Sequence, residues 1–438
     1  MNKIAIIGGG ITGLAVAYML SKQGKPVTVY EKSNSLGGLA GTVPIKNSEL
    51  DKYYRHIFPS HRDLIEIISS LQLKHQLIFK EAQMGYFSQG EIYPLNSPFD
   101  LLRFKPLNFI DRLRVGLSAS SMMFAKDWKS FDNIGVEDFL KKKCGKNGFK
   151  TFWEPLLKNK FGNYSPLISA TWLWDRLTSR TRSRKGKSSE ALGYLLGSFD
   201  VLFERMADEI EQNGGEIIRG YEVSSIETTG ASPYQFYFNN DTSKRYHQCI
   251  VTLPVPEFIS ISPKYPADYI NDLSRINYAH SICMILQLKK SLSPFYWLNI
   301  GDNSFPFALV VEHTNWMDRG LYDGNHIVYL SQYVDSTEEY TFNAPNDLLF
   351  GIYCRFLKKI FNSFDESDVI SYKVSRDRFT QPVFKKGFSQ CKPFFETPLR
   401  NLFLVNTSQF YPRSRCMNTS FGLANEFISY LADQESVI

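Results

Sequence analysis

Four apolar residues in a row, Ile4 to Ile7, give way to three glycines and then to apolar positions at helical spacing: Ile11, Leu14, Ala15, Tyr18 and Met19. Such a run is the signature of a strand buried on both faces. The recurrence after it predicts a helix from Ile11 to Gln23, ended by Gly24. Val27 to Tyr30 predict a second buried strand with Glu31 at its end. Asp63 to Leu71 set Leu64, Ile67, Ile68 and Leu71 on one helical face, and Leu77 to Leu95 read as strands with a hairpin turn at Gln89-Gly90. From about Asp100 to Lys160 the period is helical, in the stretches Phe109–Phe124, Gly135–Cys144 and Gly148–Leu157. Val201–Asn213 predict a helix stopped by Gly214-Gly215, followed by strands at Glu216–Ile218, Tyr221–Ile226, Tyr234–Phe238 and Tyr246–Thr252. Ser281–Leu288 and Ile327–Tyr333 read as strands, Asn346–Phe361 as a helix, Asn401–Val405 as a buried strand and Ser420–Leu431 as a closing helix.

The glycines at the first strand–helix junction have a chemical meaning. Gly8, Gly10 and Gly13 fall in the pattern G-x-G-x-x-G. The first lets the chain turn off the strand, the second lets a pyrophosphate approach the backbone, and the third lets the helix pack close to the sheet. The free N–H groups of the helix start at Ile11 and Thr12 then face the phosphates. Glu31 stands about 20 residues further on, where a carboxylate binds ribose hydroxyls. The order of these parts predicts a dinucleotide site. A glycine-rich turn of another α/β protein would leave Glu31 without a task. Read instead as a signal peptide, the same stretch would need Gly8-Gly9-Gly10 inside its apolar region, so the strand reading is preferred.

Composition narrows the class. The chain has 438 residues, 43% hydrophobic and 21% charged, which suits two joined domains. The 34 Phe and 24 Tyr fit aromatic-lined cavities, and a biased base composition of the genome would give the same excess. A net charge of +6 is compatible with an anionic substrate or a membrane surface and establishes neither; nucleic-acid binding is not expected. Six Cys occur with no C-x-x-C pair, so no zinc site is expected, and reduced thiols in a cytoplasmic protein are the simplest reading. No apolar run of about 20 residues is present, while peripheral contact with the inner face of a membrane stays open.

Gly37, Gly38, Gly41 and Thr42 follow Glu31 as E-x-x-x-x-x-G-G-x-x-G-T. Here the chain resembles the superfamily of FAD-dependent amine oxidases, protoporphyrinogen oxidases and UDP-galactopyranose mutases. The resemblance implies FAD as cofactor, with Lys32, Gly38, Leu39 and Ala40 joining Gly8, Gly10, Ile11, Thr12, Gly13 and Glu31 around it. It implies an α/β fold in which a Rossmann-like FAD-binding domain of the glutathione-reductase type carries a mixed-sheet and helical substrate domain. The FAD-binding domain would comprise residues 1–75, 193–255 and 391–438, and the substrate domain 76–192 and 256–390. Val223 would contact the adenine through its backbone, and Ile250–Pro254 resemble the family's I-x-T-x-P return to the FAD sheet. Near the C-terminus, Asn406 to Asn418 resemble the N-x-S-Q-x-Y-P-x-x-R-G-x-N block of a bacterial and archaeal branch, with Cys416 at the Gly. Asn406, Met417, Asn418 and Thr419 would form the turn that holds the ribityl chain. Cys416 does not match the attachment cysteine of some amine oxidases, so non-covalent flavin is expected.

The substrate side is less legible. Tyr54, Arg55 and His56 lie in a segment that runs along the flavin in the resembled families, and the following Ile57-Phe58 makes a His-Ile-Phe like that of the mutases. These three residues are candidates for the substrate site; the alternative is a buried strand with a hydrogen-bonded His. Arg176 belongs to a W-L-W…R block of the same branch and is a further candidate, as are His313 and Arg376. Some aromatics of Tyr296–Ile300 and Phe305–Phe307 are expected to line a cavity, others to pack in the core. The basic run Arg180–Lys187 could capture a phosphate, lie on anionic lipid, or be a solvated loop. Without a second G-x-G-x-x-G there is no separate nicotinamide domain. The resemblance implies an FAD-dependent oxidoreductase of the oxidase or desaturase type, passing a hydride from an organic substrate to flavin N5 and reoxidised by oxygen or a quinone. The alternatives are a mutase that uses reduced FAD on a nucleotide sugar without net redox, and a non-catalytic flavoprotein. The substrate is expected to be a small or lipid-linked organic molecule.

Overall fold

The computed structural model describes residues 3–183, 190–228 and 234–436. Two sheets organise it. The first has five parallel strands in the order Leu402–Leu404, Gln248–Val251, Ile4–Ile7, Val27–Glu31, Glu216–Arg219. Every residue of Ile4–Ile7 and Val27–Glu31 is buried, Thr28 and Glu31 included, as in strands covered on both faces. Helix Ile11–Lys22 packs on helices Asp200–Gln212 and Met417–Ser436, so this layer is built from three chain-distant stretches.

Gly13 shows how tightly that layer is set. A Cβ there would stand 1.9 Å from the carbonyl oxygen of Gly8. Gly13→Ala must therefore push the helix off the strand, an overpacking cost of about 1–3 kcal/mol or more. The variant is expected to melt at a lower temperature by calorimetry and to purify without the visible absorption of a bound cofactor.

The second sheet has seven strands in the order Val369–Pro382, Tyr278–Leu288, His326–Val334, Leu309–Glu312, Trp297–Ile300, Met84–Ser88, Glu91–Pro94. All pairings are antiparallel except Trp297–Ile300 with Met84–Ser88. One face carries a core with helix Asn346–Ile360, around Leu286, Leu330 and Tyr353. Along His326–Val334 the alternation puts Val328, Leu330 and Val334 in that core, and Ser331 and Tyr333 on the opposite face. Helices Pro98–Leu102, Phe109–Met123, Val136–Gly148, Glu154–Phe161 and Ala170–Ser183 surround a third core with Phe104, Val115, Leu140 and Trp172. No helix among the described residues is long and apolar enough to cross a membrane.

Two expectations are corrected. The closing helix starts at Met417 and runs to Ser436, because no Pro interrupts it and the Ser420 N–H already reaches the Cys416 carbonyl at 3.3 Å. Met417, Asn418 and Thr419 thus form its first turn and not a preceding loop. Tyr246–Thr252 is not one strand: Ser243–Tyr246 joins a three-stranded sheet with Val223–Thr228 and Tyr234–Phe238, and Gln248–Val251 joins the parallel sheet.

Candidate active site

One long cleft runs between the two sheets. At one end lies the turn after the first strand. Helix Ile11–Lys22 begins at Gly10 with no side-chain cap and no acid in its first turn, leaving its first N–H groups without a side-chain partner. Gly10 forms a bridge with Gly37, and a Cβ on Gly38 would stand 3.1 Å from the Gly10 Cα. This is a backbone cradle that only small residues can form, aimed by a helix dipole, and it fits a diphosphate. Glu31 stands at its far side, its carboxylate accepting from the N–H groups of Gly9 at 2.7 Å and Ser33 at 2.9 Å.

Next along the cleft comes the extended segment Tyr53–Phe58. Ile57 fixes it through a pair of backbone bonds with Gly193 at 2.7 and 2.6 Å. Tyr53 Oη donates to Asp377 Oδ2 at 2.9 Å. Arg55 donates to the Leu39 carbonyl, while its buried Nε has no partner. The rings of Tyr54 and His56 meet Trp297 edge-on, with centroids 4.9 and 5.5 Å apart. Burial holds His56 well below the usual imidazole pKa, and the cations of Arg180, Arg176 and Arg55 add to it, so the ring is neutral.

The other end is basic. Arg176, from helix Ala170–Ser183, joins Lys160 and Arg415 around Tyr333. Lys160 Nζ donates to Tyr333 Oη at 3.4 Å and lies 4.5 Å from the ring centroid. Burial alone would raise the Tyr333 pKa, but the Lys160 ammonium, Arg415 and Arg176 outweigh it and bring it down to about 7. Burial, with Arg176 and Arg415 nearby, lowers Lys160 to about 8. Both folded values lie below the reference values of 10.0 and 10.5, so between pH 7 and 10 the unfolded chain binds more protons and stability rises with pH. This contribution is complete above pH 10 and is lost as pH falls through 7. Thermal melts of the wild type are expected to shift upward from pH 7 to 9, and a Tyr333→Phe, Lys160→Met double variant to show a flatter slope.

Of the residues singled out from sequence, Gly8, Gly10, Ile11, Thr12, Glu31, Lys32, Gly38, Leu39, Ala40, Tyr54, Arg55, His56, Arg176 and Met417 line this one cleft. Gly13 sits behind its wall, against Gly8. Val223, expected to act through its backbone, has its side chain packed in the core. Three others are turned elsewhere. Asn406 Oδ1 accepts from the Ser408 N–H at 3.0 Å and its Nδ2 donates to the Leu253 carbonyl at 2.7 Å, which makes it a clamp between two strand ends. Asn418 binds Leu64 and Asp63, and Thr419 donates to the Ser414 carbonyl at 2.9 Å, because the helix beginning at Met417 rotates both away from the cleft. His313 is buried against Tyr322 at 2.8 Å, its pKa pushed down to about 3 by burial, and Arg376 is held by Asn346 and the Ala344 carbonyl; neither lines the cleft. Residues 184–187 of the basic run lie outside the described residues.

Lys160, Tyr333 and Arg415 were not singled out. Tyr333 had a signal: it shares strand parity with Ser331, a polar residue inside an apolar strand. A second chamber adjoins this end, walled by Trp128, Trp174, Asp175, Arg413 and Lys392, and shares Arg176, Arg415 and Cys416 with the cleft.

Comparison with known proteins gives matches along most of the chain. The family model described as flavin containing amine oxidoreductase matches residues 11–412. "Amine oxidase [flavin-containing] B" of Cavia porcellus is 24% identical over 245 residues, 49% of this chain and 46% of that protein. Coproporphyrinogen III oxidase of Staphylococcus aureus (strain NCTC 8325 / PS 47) is 23% identical over 312 residues, 62% of this chain and 65% of that protein. The chain thus spans about half to two thirds of the curated relatives it matches. The solved structure of reduced UDP-galactopyranose mutase superposes with a TM-score of 0.77 at 16% identity, covering 98% of this chain and 96% of that one, a likeness of fold.

Proposed function

Because the chain belongs to the family of flavin containing amine oxidoreductases, we propose that it is an FAD-dependent oxidoreductase taking a hydride from an organic substrate that bears an anionic group. The observation that carries this reading is the division of one cleft into a diphosphate cradle and a basic, aromatic-walled chamber. The cradle fits FAD: the helix start is uncapped, Gly10 and Gly38 leave no room for side chains between them, and Glu31 offers a carboxylate that would accept from ribose hydroxyls. Gly8, Gly10, Ile11, Thr12, Glu31, Lys32, Gly38, Leu39, Ala40 and Met417 would hold it. When bound, the flavin supplies the hydride acceptor.

The chain's own residues do the rest. Lys160, Arg176 and Arg415 bind and orient the anionic end of the substrate. They also repel a protonated amine, since two like charges 4 Å apart cost about 4 kcal/mol at an effective dielectric constant of about 20. Tyr54, His56 and Trp297 wall the reacting part and exclude water. Tyr333 Oη, kept as phenolate by Lys160, takes the proton that the substrate loses together with the hydride.

The same three cations favour a second reading, a mutase acting on a nucleotide sugar whose diphosphate they would bind. Anaerobic mixing of the purified protein with carboxylated and phosphorylated candidates tests both. Flavin absorption that bleaches with an organic anion and returns in air supports the oxidoreductase. Turnover of a nucleotide sugar only after dithionite reduction supports the mutase. A colourless protein that takes up no FAD rules out both.

A further inference from the structure

The helix Phe109–Met123 is apolar on two opposite sides. Val115 and Met122 are buried in the core of the helical insert, as a surface helix requires. On the far side, where polar residues belong, stand Ile110, Leu113 and Leu117, and Phe124 follows directly after the helix; they are exposed to 62%, 43%, 68% and 82%. Their spacing of three, four and seven residues sets them in one stripe. Helix Pro98–Leu102 packs beside it, with Leu101 next to Gly116, and adds Phe99, 73% exposed. Scattered exposed apolar residues need no explanation, whereas a contiguous stripe of large ones marks an interaction surface.

The charges around the stripe say which kind. Arg103, Lys105 and Lys126 are exposed beside it, as is Arg114, which pairs with Asp111 at 4.0 Å. Asp100 accepts from the N–H groups of Asn96 and Ser97 at 2.8 and 2.9 Å, Asp111 is buried and bound by Asn108 and Asn147, and exposed Asp127 accepts from the Lys129 N–H at 3.0 Å, which leaves the cations in excess. Two copies of such a face brought together across a two-fold axis would oppose cation to cation. An anionic bilayer surface answers both features, taking the large apolar side chains among its acyl chains and pairing its headgroups with long cationic ones. The stripe also ends beside the site. The Ala125 carbonyl, next after Phe124, accepts from Trp174 Nε1 at 2.9 Å, and Trp174 walls the second chamber that shares Arg176 with the cleft.

We infer that the face formed by helices Phe109–Met123 and Pro98–Leu102 docks the protein on the surface of an anionic lipid bilayer, with the second chamber opening at the lipid edge. This stands apart from the reaction proposed above. Cosedimentation with phosphatidylcholine vesicles, with and without phosphatidylglycerol, tests it. The wild type is expected to bind the anionic vesicles and to be released by salt. A Leu117→Glu, Phe124→Glu variant is expected to lose about tenfold or more in partitioning, since two apolar anchors are gone, while its melting temperature stays unchanged because both positions are exposed. A Lys105→Glu, Lys126→Glu variant is expected to lose the preference for anionic over neutral vesicles. Absence of binding by the wild type, or equal binding by the Leu117→Glu, Phe124→Glu variant, would overturn the inference. So would a concentration-dependent dimer, abolished by that variant, in a protein that ignores vesicles.

Discussion

Replacing Tyr333 with phenylalanine is expected to lower kcat/KM about 10²–10⁴-fold, the range set by loss of a positioned base, while flavin content stays at the wild-type level. The proposal makes Tyr333 Oη the proton acceptor, and its folded pKa of about 7 means that the acceptor form is present above that pH and lost below it. The wild-type profile of log kcat/KM should therefore climb with pH up to about 7 and decline above about 8, where Lys160 loses the charge that binds the substrate. Lys160→Met separates this from a structural role. With the ammonium removed, burial acts on Tyr333 with less opposition, its pKa rises, and the acid limb of the profile moves to higher pH. An acid limb that stays in place in Lys160→Met would remove Tyr333 from the role of base.

Arg176→Ala is the second large effect. The guanidinium lies in the cleft, and no described carboxylate ion-pairs with it within 4 Å, which leaves it available to a ligand. Deleting one partner of a buried, hydrogen-bonded charge pair costs about 2–5 kcal/mol, roughly a 30- to 5,000-fold weaker complex. The loss should fall on KM for an anionic substrate, with kcat changed less, because binding rather than proton transfer is removed. A neutral analogue of the same substrate should bind wild type and variant alike, and a calorimetric titration with both ligands reads this directly. If both ligands lose affinity equally, Arg176 shapes the chamber and does not recognise charge.

What the sequence disclosed follows from the range over which each feature is determined. The cradle was legible because Gly8, Gly10, Gly13 and Glu31 are tied together by one strand, one helix and one more strand, all local geometry. Arg176 and the segment Tyr54–His56 could be singled out by resemblance of their surroundings, though periodicity alone could not say that Ile57 would pin that segment to Gly193. The basic end was not legible. Lys160, Arg176, Tyr333 and Arg415 come from two helices, a strand and a turn, and the lowered pKa of Tyr333 exists only when all four meet. The helix start at Met417 was missed for a different reason: the polar residues Asn418 and Thr419 read as a turn, yet their side chains bind Asp63 and the Ser414 carbonyl while the backbone is already helical.

The clamp made by Asn406 has a consequence for biosynthesis. The first strand, Ile4–Ile7, finds one neighbour within about 25 residues but the other only at Gln248–Val251, and the sheet edge beyond it arrives with Leu402–Leu404. Asn406 then ties that late edge to Leu253. Pairings of such sequence separation close slowly, and a growing chain is made N-terminus first. On the ribosome the glycine turn after the first strand therefore waits, unfinished, until the strand Leu402–Leu404 has emerged. The cleft is completed late, and a messenger truncated even shortly before Asn406 would yield a product unable to close it.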